Sequence, residues 1–286
     1  MTVACRLACF LLAVFCCSCR SQKVTAERDI PFGIADGQKL LLDVCRPEGL
    51  AAKPRPAVIL VHGGGWAAGD KKDFFDAATG LAQQGYVAFS VNYRLAAGGR
   101  NPWPAQLDDV QRAVRWVRAH AGTYGVDPKR IGALGHSAGG HLVACLAARE
   151  TRDNSDPELA PYSSRVTCAV DMSGPVDLVT SDNPQAAGTI ANLFGGPAAE
   201  HPELARDASP ILFVDAKTAP ILIVHGRIDS LVAVRHAEQF DAALRKAGVE
   251  STLLIFDNEG HGITDRLDAS RMITTALGFL NAHLKP

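Results

Sequence analysis

A serine set among glycines, between a strand pattern and a helix pattern, is the feature that most limits how this chain can fold. The motif is Gly135-His136-Ser137-Ala138-Gly139-Gly140, which fits Gly-x-Ser-x-Gly. Residues 131–134 form a short, mostly apolar run typical of a buried strand, and residues 141–148 have helix-forming composition. Side chains in place of the glycines would strike the neighbouring strand or helix. The sequence therefore predicts a sharp strand-to-helix turn that holds the serine away from the backbone.

Apolar runs of strand length alternate with helix-length amphipathic segments along most of the chain. After an edge pair within 24–45, the predicted strands are 57–61, 86–91, 131–134, 166–172, 221–224 and 252–256. The predicted helices are 70–84, one carrying Leu107 and Val117, one after Ser137, one carrying Phe240 and Leu244, and a last one carrying Leu277 and Leu284. This alternation predicts an α/β fold, with a mostly parallel central sheet and helices on both faces. We expect one domain over 21–286, with an irregular insertion around 177–219.

Four polar or glycine-rich loops follow predicted strands, after Val61, Leu134, Val224 and Phe256. The carboxyl ends of parallel strands meet at one edge of a sheet, which is where ligands bind in such folds. We therefore expect these loops to build the functional site.

The first twenty residues differ in composition from the rest of the chain. Residues 7–19 carry no charge, and this run of thirteen is shorter than the roughly 20 residues that a membrane-spanning helix needs. It fits the apolar region of an export signal over residues 1–20. Ser18-Cys19 after an apolar run is similar to a bacterial lipobox, although Cys16 and Cys17 depart from that pattern. We predict an exported protein, periplasmic, extracellular or anchored to a membrane through lipidated Cys19.

Charge and cysteine usage exclude several classes of function. The formal net charge is −1, and acidic and basic residues are spread along the chain, so nucleic acid is not a predicted partner. Beyond the predicted signal, the cysteines are Cys45, Cys145 and Cys168, without Cys-x-x-Cys spacing or a Cys/His cluster. We predict buried free thiols and no metal site.

Ser137 needs a base and a group that orients the base, because a serine hydroxyl is a poor nucleophile at neutral pH. His261 follows the last predicted strand between two glycines, and Asp229 follows the strand before it. The order serine, acid, histidine is the one associated with the Gly-x-Ser-x-Gly turn. Asp257 and Glu259 are alternative acids. We predict a catalytic triad of Ser137, Asp229 and His261.

Three other histidines lie in or beside the same loops. His136 and His141 belong to the serine motif, and His225 precedes Asp229. We predict structural roles for them, with each ring held locally within its own motif.

The glycine-rich loop after residues 57–61 can supply donors to a negatively charged oxygen. Its sequence is His62-Gly63-Gly64-Gly65-Trp66, and glycines let backbone N–H groups point at one place. We predict an oxyanion hole formed by Gly64, Gly65 and Ala138, the last at the start of the helix after the serine. Trp66 is a predicted substrate-binding residue, which either lines the acyl side of the site or packs beside the loop.

The combination of motifs resembles the α/β-hydrolase superfamily, and within it the hormone-sensitive-lipase-like esterases. More narrowly, it is similar to secreted carbohydrate esterases and feruloyl-esterase-like enzymes. The motifs are His62-Gly63-Gly64-Gly65-Trp66, the serine turn, the run 220–229 that ends in His-Gly-x-x-Asp, and Gly260-His261-Gly262. The resemblance covers residues from about 25 onward. It implies an α/β-hydrolase fold and ester hydrolysis through an acyl-serine intermediate, without a cofactor.

The sequence departs from the family pattern in the loop that follows Asp229. The family often has Val-Pro after the aspartate, whereas Leu231-Val232-Ala233 follows Ser230 here. The departure leaves the role of Asp229 in place and its loop less defined.

Three functions stay open at this point. The first is a secreted serine carboxylesterase acting on small or short-acyl esters, with acetyl or feruloyl esters on polysaccharides as candidate substrates. The second is a serine peptidase or amidase on the same fold. The third is a non-catalytic binding protein built on a hydrolase scaffold.

Overall fold

Eight strands form one sheet in the computed structural model, which describes residues 22–49, 53–180 and 184–285. The predicted export signal and Cys19 lie outside the described residues. The strands are β1 (Val24–Ala35), β2 (Gln38–Pro47), β3 (Arg55–Val61), β4 (Val87–Val91), β5 (Val126–His136), β6 (Ala169–Met172), β7 (Ile221–Gly226) and β8 (Ser251–Phe256). Their order in the sheet is β1-β2-β4-β3-β5-β6-β7-β8.

Six neighbouring strands of this sheet are parallel, and an antiparallel pair closes one edge. β2 is antiparallel to both β1 and β4, whereas β4, β3, β5, β6, β7 and β8 all run in one direction. The carboxyl ends of β3, β5, β7 and β8 therefore share one edge of the sheet, and the four loops predicted to build the site follow them. The predicted α/β architecture and the edge pair are confirmed.

Within the described ranges, eight α-helices connect or flank the strands. They are α1 (Phe75–Gln83), α2 (Ala105–Ala119), α3 (Ala121–Tyr124), α4 (Ala138–Ala148), α5 (Pro184–Phe194), α6 (Pro202–Asp207), α7 (Arg235–Lys246) and α8 (Arg266–Leu284). One buried cluster joins the sheet to α2, α4, α5 and α7, and a second joins its other face to α1 and α8. Within β3, Ile59 faces the first cluster and Leu60 the second, so the strand is buried on both faces.

The sequence pattern misplaces two element boundaries. The predicted helix 70–84 is a short 3-10 helix, Lys71–Phe74, followed by α1, because Asp70 accepts from the Lys72 N–H and caps the first piece. The strand before the serine begins at Val126 rather than after Pro128, with an irregularity in its pairing with β3. Proline lacks the N–H of a regular ladder, which made this stretch look like a loop.

The insertion around 177–219 contains α5, α6 and two 3-10 turns, and it lies against the rest of the molecule. The Trp103 backbone N–H donates to the Leu193 carbonyl at 2.7 Å, and the Trp103 indole N–H donates to the Asp207 carboxylate at 2.7 Å. Asp207 also pairs with Arg149 at 2.8 Å. Buried or half-buried polar contacts thus hold the insertion against the loop before α2 and the residue that follows α4.

Cys45, Cys145 and Cys168 are free and buried, as predicted. Across the described ranges, we find no helix with the length and apolar character needed to span a bilayer.

Candidate active site

Ser137 occupies a strained turn between β5 and α4. Its φ of 57° and ψ of −121° lie in a region that residues with a side chain rarely adopt. The Ser137 N–H donates to the Met172 carbonyl at 2.8 Å, and the Ser137 carbonyl accepts from the His141 N–H at 3.0 Å. A Cβ on Gly135 would overlap the backbone of Gly139. The turn therefore needs its glycines, and hydrogen bonds on both sides hold the serine in the strained conformation.

The structure brings Ser137, His261 and Asp229 into one hydrogen-bonded chain. His261 Nε2 lies 2.8 Å from Ser137 Oγ, and His261 Nδ1 lies 2.7 Å from Asp229 Oδ2. Since the carboxylate accepts the Nδ1 hydrogen, Nε2 of the neutral ring carries the lone pair that accepts the serine hydroxyl. This arrangement can remove the hydroxyl proton as the serine attacks a carbonyl carbon.

The Asp229 carboxylate is buried and surrounded by donors. Its Oδ1 accepts from the backbone N–H groups of Leu231 at 2.8 Å and Val232 at 2.9 Å. Burial by itself would raise the pKa of Asp229, but hydrogen bonds from His225 and His261 hold it well below its usual range. The carboxylate is therefore ionised at neutral pH. The loop that departs from the family pattern supplies two of its donors.

The two alternative acids have other partners. Asp257 is exposed and pairs with Arg227 at 2.5 Å. Glu259 is buried, and its carboxylate accepts from the Thr264 N–H at 2.9 Å and from the Asp265 N–H at 2.7 Å. Glu259 thus ties the loop that carries His261 to the start of α8, while Asp229 is the acid that contacts the histidine.

The glycine-rich loop after β3 lies directly beside the serine. A Cβ on Gly63 would come 3.2 Å from the Ser137 Cβ. Gly64 and Gly65 have φ of 109° and 58°, which favours glycine at both positions. The Tyr93 hydroxyl donates to the His62 carbonyl at 3.0 Å and holds the base of the loop. The loop is therefore next to the nucleophile, and oxyanion binding by Gly64, Gly65 and Ala138 stays a prediction.

Trp66 lies in the core beside this loop, with 3% of its surface exposed. Its indole N–H donates to His141 Nδ1 at 3.1 Å, and His141 Nε2 lies 2.6 Å from the Ala208 carbonyl. His141 therefore links the glycine-rich loop, α4 and the insertion. A direct contact between Trp66 and substrate stays a prediction.

Replacing His141 with glutamine is expected to reduce the amount by which the free energy of unfolding falls at acidic pH. Burial lowers the pKa of His141 to about 4, although its hydrogen bond to Ala208 favours the protonated ring. A folded-state pKa below the unfolded value of about 6.5 means that the contribution of His141 is complete above pH 6.5 and is lost as pH falls toward 4. Between pH 7 and pH 5 this loss is about 2 kcal/mol for one such histidine.

Urea unfolding at pH 7 and pH 5 measures this effect. We expect the wild type to lose about 2 kcal/mol more than His141→Gln between the two values. His136, whose pKa burial lowers to about 4, and Asp171, whose pKa burial raises to about 6, titrate in both proteins and cancel in the comparison. Equal losses in the two proteins would contradict the neutral, buried state of His141.

His136 and His141 form contacts far beyond their own motif, so the prediction of purely local contacts is wrong for both. His136 Nε2 lies 2.7 Å from the His261 carbonyl, and burial lowers the pKa of His136 to about 4. A neutral ring donates its Nε2 hydrogen to that carbonyl. The residue before the nucleophile therefore holds the backbone of the residue predicted to act as its base.

Sequence patterns did not reveal three of these supporting side chains, His136, Glu259 and Tyr93. Each contacts backbone atoms, His136 and Tyr93 in another loop and Glu259 farther along its own loop, and such contacts leave no residue-type signature at the partner position. The one available signal was position: Glu259 lies two residues before His261, and His136 lies next to Ser137.

Known proteins resemble this chain in sequence and in fold. The sequence matches the BD-FAE family model over residues 42–244. Esterase LipC of Mycobacterium tuberculosis is 33% identical over 268 residues, which cover 91% of this chain and 65% of LipC. An acetylxylan esterase of Xylanibacter ruminicola is 27% identical over 256 residues, or 88% of this chain and 49% of that enzyme. The chain thus spans less than two thirds of the length of these curated relatives.

Among solved structures, a truncated carbohydrate esterase from gut microbiota superposes with a TM-score of 0.80 at 28% identity. The match covers 93% of this chain and 98% of that one. The similarity therefore extends over nearly all of the sheet and helices described above.

Proposed function

The chain belongs to the BD-FAE family, within the esterases of the α/β-hydrolase fold, and on that premise we propose that it hydrolyses carboxylic esters through an acyl-serine intermediate. The observation that carries the proposal is the hydrogen-bonded chain from Ser137 through His261 to Asp229, with distances of 2.8 and 2.7 Å. This chain of contacts supplies the nucleophile, the base and the group that orients the base.

The reaction follows from these contacts. The Ser137 hydroxyl attacks the ester carbonyl as its proton passes to His261 Nε2, and the carbonyl oxygen becomes an oxyanion. Backbone N–H groups of Gly64, Gly65 and Ala138 stabilise that charge. The tetrahedral adduct then collapses, the alcohol takes the proton from His261, and the acyl group stays on Ser137. Water, deprotonated by the same ring, then attacks the acyl carbon. The bond from that carbon to Ser137 Oγ breaks, His261 returns the proton to Oγ, and the carboxylic acid leaves.

The candidate substrates are esters with a small or short acyl group. The Thr189 side chain of α5 fills the space beside Gly65. A Cβ on Gly65 would lie 2.5 Å from the Thr189 methyl group. The insertion therefore covers one side of the glycine-rich loop. Acetyl or feruloyl groups on polysaccharides are candidate natural esters. The name of the similar acetylxylan esterase supports the acetyl candidate, and that of the similar carbohydrate esterase supports a carbohydrate ester.

Export belongs to the same proposal. Polysaccharide esters are found outside the cytoplasm, and the composition of residues 1–20 fits an export signal with Cys19 as a candidate for lipid attachment. We propose that the enzyme acts outside the cytoplasm, free or tethered to a membrane.

A series of p-nitrophenyl esters from acetate to dodecanoate tests the acyl preference, with acetylated xylan, methyl ferulate and an amino-acid p-nitroanilide measured beside it. A short-acyl preference predicts the highest kcat/KM from acetate to butyrate and a value at least about tenfold lower from octanoate onward. The anilide should be hydrolysed far more slowly than the acetate ester. Higher kcat/KM for octanoate or for the anilide would contradict a short-acyl esterase and favour a lipase or an amidase.

A further inference from the structure

His225 lies at the end of β7, immediately before the loop that carries Asp229. Its side chain is 1% exposed. Its Nε2 lies 2.8 Å from the Val232 carbonyl and 3.3 Å from Asp229 Oδ2. Both neighbouring atoms accept hydrogen bonds, so Nε2 carries a hydrogen and donates to them.

The other ring nitrogen has no such contact. Nδ1 of His225 is buried and has no hydrogen-bond partner within the part of the chain that the structure describes. An imidazole with one unsatisfied nitrogen is a costly way to fill the core, where an apolar side chain would pack without that penalty. The hydrogen bonds that the structure shows for this ring are therefore made to the loop that carries Asp229.

His225 completes the set of donors around the carboxylate. Asp229 Oδ2 faces His261 Nδ1 and His225 Nε2, while Oδ1 accepts from the Leu231 and Val232 N–H groups. The Asp229 side chain is 0% exposed, so water does not replace a missing donor. Both backbone groups of Val232 are held. Its N–H donates to Asp229 Oδ1, and its carbonyl accepts from His225 Nε2, which also faces Asp229 Oδ2, the oxygen that contacts His261.

We propose that His225 is a positioning residue that fixes the Asp229 carboxylate and its loop, so that Oδ2 stays aimed at His261 Nδ1 during ester hydrolysis. The inference rests on the proposed function, because positioning matters only if His261 acts as the base. Without the His225 donor, the carboxylate is free to rotate about its Cβ–Cγ bond, and the histidine loses its fixed orientation.

Two amides of different length provide a matched test. In His225→Gln the amide nitrogen reaches the position of Nε2, whereas in His225→Asn it ends near the position of Nδ1 and falls short of Asp229. We expect His225→Asn to lower kcat for p-nitrophenyl acetate by about 10- to 100-fold, with KM changed by less than about threefold. His225→Gln should recover to within about fivefold of the wild type.

The same substitutions in an Asp229→Asn protein separate positioning from packing. If His225 acts through Asp229, His225→Asn should lower kcat by less than about twofold in that background. An equal loss in both backgrounds, no recovery by glutamine, or an unchanged kcat in His225→Asn would each overturn the inference. Thermal unfolding midpoints identify any variant that fails to fold. If His225→Asn is such a variant, His225→Gln is the test, and a fall in its kcat of more than about fivefold would overturn the inference.

Failure of the inference and failure of the proposed function give different results. If the chain is not a serine esterase, the wild type shows no hydrolysis that depends on Ser137. If only the role of His225 is wrong, the wild type shows hydrolysis that depends on Ser137, and one of the three overturning results above is observed.

Discussion

Replacing Ser137 with alanine is expected to lower kcat for p-nitrophenyl acetate by about 10⁵-fold or more. The hydroxyl is the atom that forms the acyl intermediate, and its hydrogen bond to His261 Nε2 at 2.8 Å places it for deprotonation. His261 Nε2 is oriented toward the Ser137 hydroxyl, so a nucleophile at any other position would lack a base to remove its proton. The remaining rate reflects substrate binding and the oxyanion donors, which do not form a covalent bond.

A matched serine elsewhere in the chain serves as the control. Ser163 is exposed and accepts a hydrogen bond from the Arg165 N–H at 3.1 Å, away from the candidate active site. Ser163→Ala should keep kcat and KM within about twofold of the wild type, since exposed substitutions change little. The hydrolysis rates of both variants are compared at equal concentration after their unfolding midpoints have been measured. A Ser137→Ala protein with more than about a tenth of the wild-type kcat would exclude the acyl-serine mechanism.

Replacing His261 with alanine is expected to have the second largest effect, a fall in kcat of about 10⁴- to 10⁶-fold. The imidazole accepts the serine proton in the first step and returns it to the leaving alcohol, so both halves of the reaction lose their proton carrier. KM should change by less than about fivefold, because the ring acts mainly in the transition state. Added imidazole should restore part of the rate by entering the space that the side chain leaves.

His283→Ala is the control for this histidine. His283 lies near the end of α8 and faces Glu250 at 3.3 Å, just before β8 begins and therefore at the opposite end of the strand from His261. Its removal should leave kcat within about threefold of the wild type. If His261→Ala kept more than about one hundredth of the wild-type kcat, another group would have to be the base.

Much of the fold follows from the sequence because burial leaves a periodic signal. β3 is apolar from Pro56 to Val61, since Ile59 and Leu60 face opposite helical layers and burial on both faces disfavours polar residues. Parallel strands then bring their carboxyl ends together, which is why loops far apart in sequence were expected to meet. Ser137, Asp229 and His261 lie at three of these ends and do meet.

The contacts that support these residues could not be predicted in the same way. His136 was expected to be held within its own motif, yet it reaches the His261 carbonyl, 125 positions away. Glu259 was considered as an acid, and its carboxylate instead accepts backbone hydrogens of Thr264 and Asp265. The His136 contact depends on how two loops approach each other in space, and the Glu259 contacts depend on how its own loop turns back before α8. Neither residue type nor spacing records these geometries.

Boundaries were less predictable where local capping competes with helical periodicity. Asp70 caps a short 3-10 helix ahead of α1, within a stretch that the sequence predicts as one helix. Local hydrogen bonds of short polar side chains therefore decide the ends of elements that the hydrophobic pattern places only approximately.

Covalent labelling of the nucleophile tests the central claim most directly. Paraoxon phosphorylates an activated serine: a bond forms between Ser137 Oγ and phosphorus, p-nitrophenolate leaves, and the hydroxyl proton passes to His261. The account predicts an intact mass raised by one diethylphosphoryl group, with the label on the peptide that contains Ser137, no label in Ser137→Ala, and loss of hydrolysis in proportion to labelling. An unlabelled wild type, or equal labelling of wild type and Ser137→Ala, would contradict it.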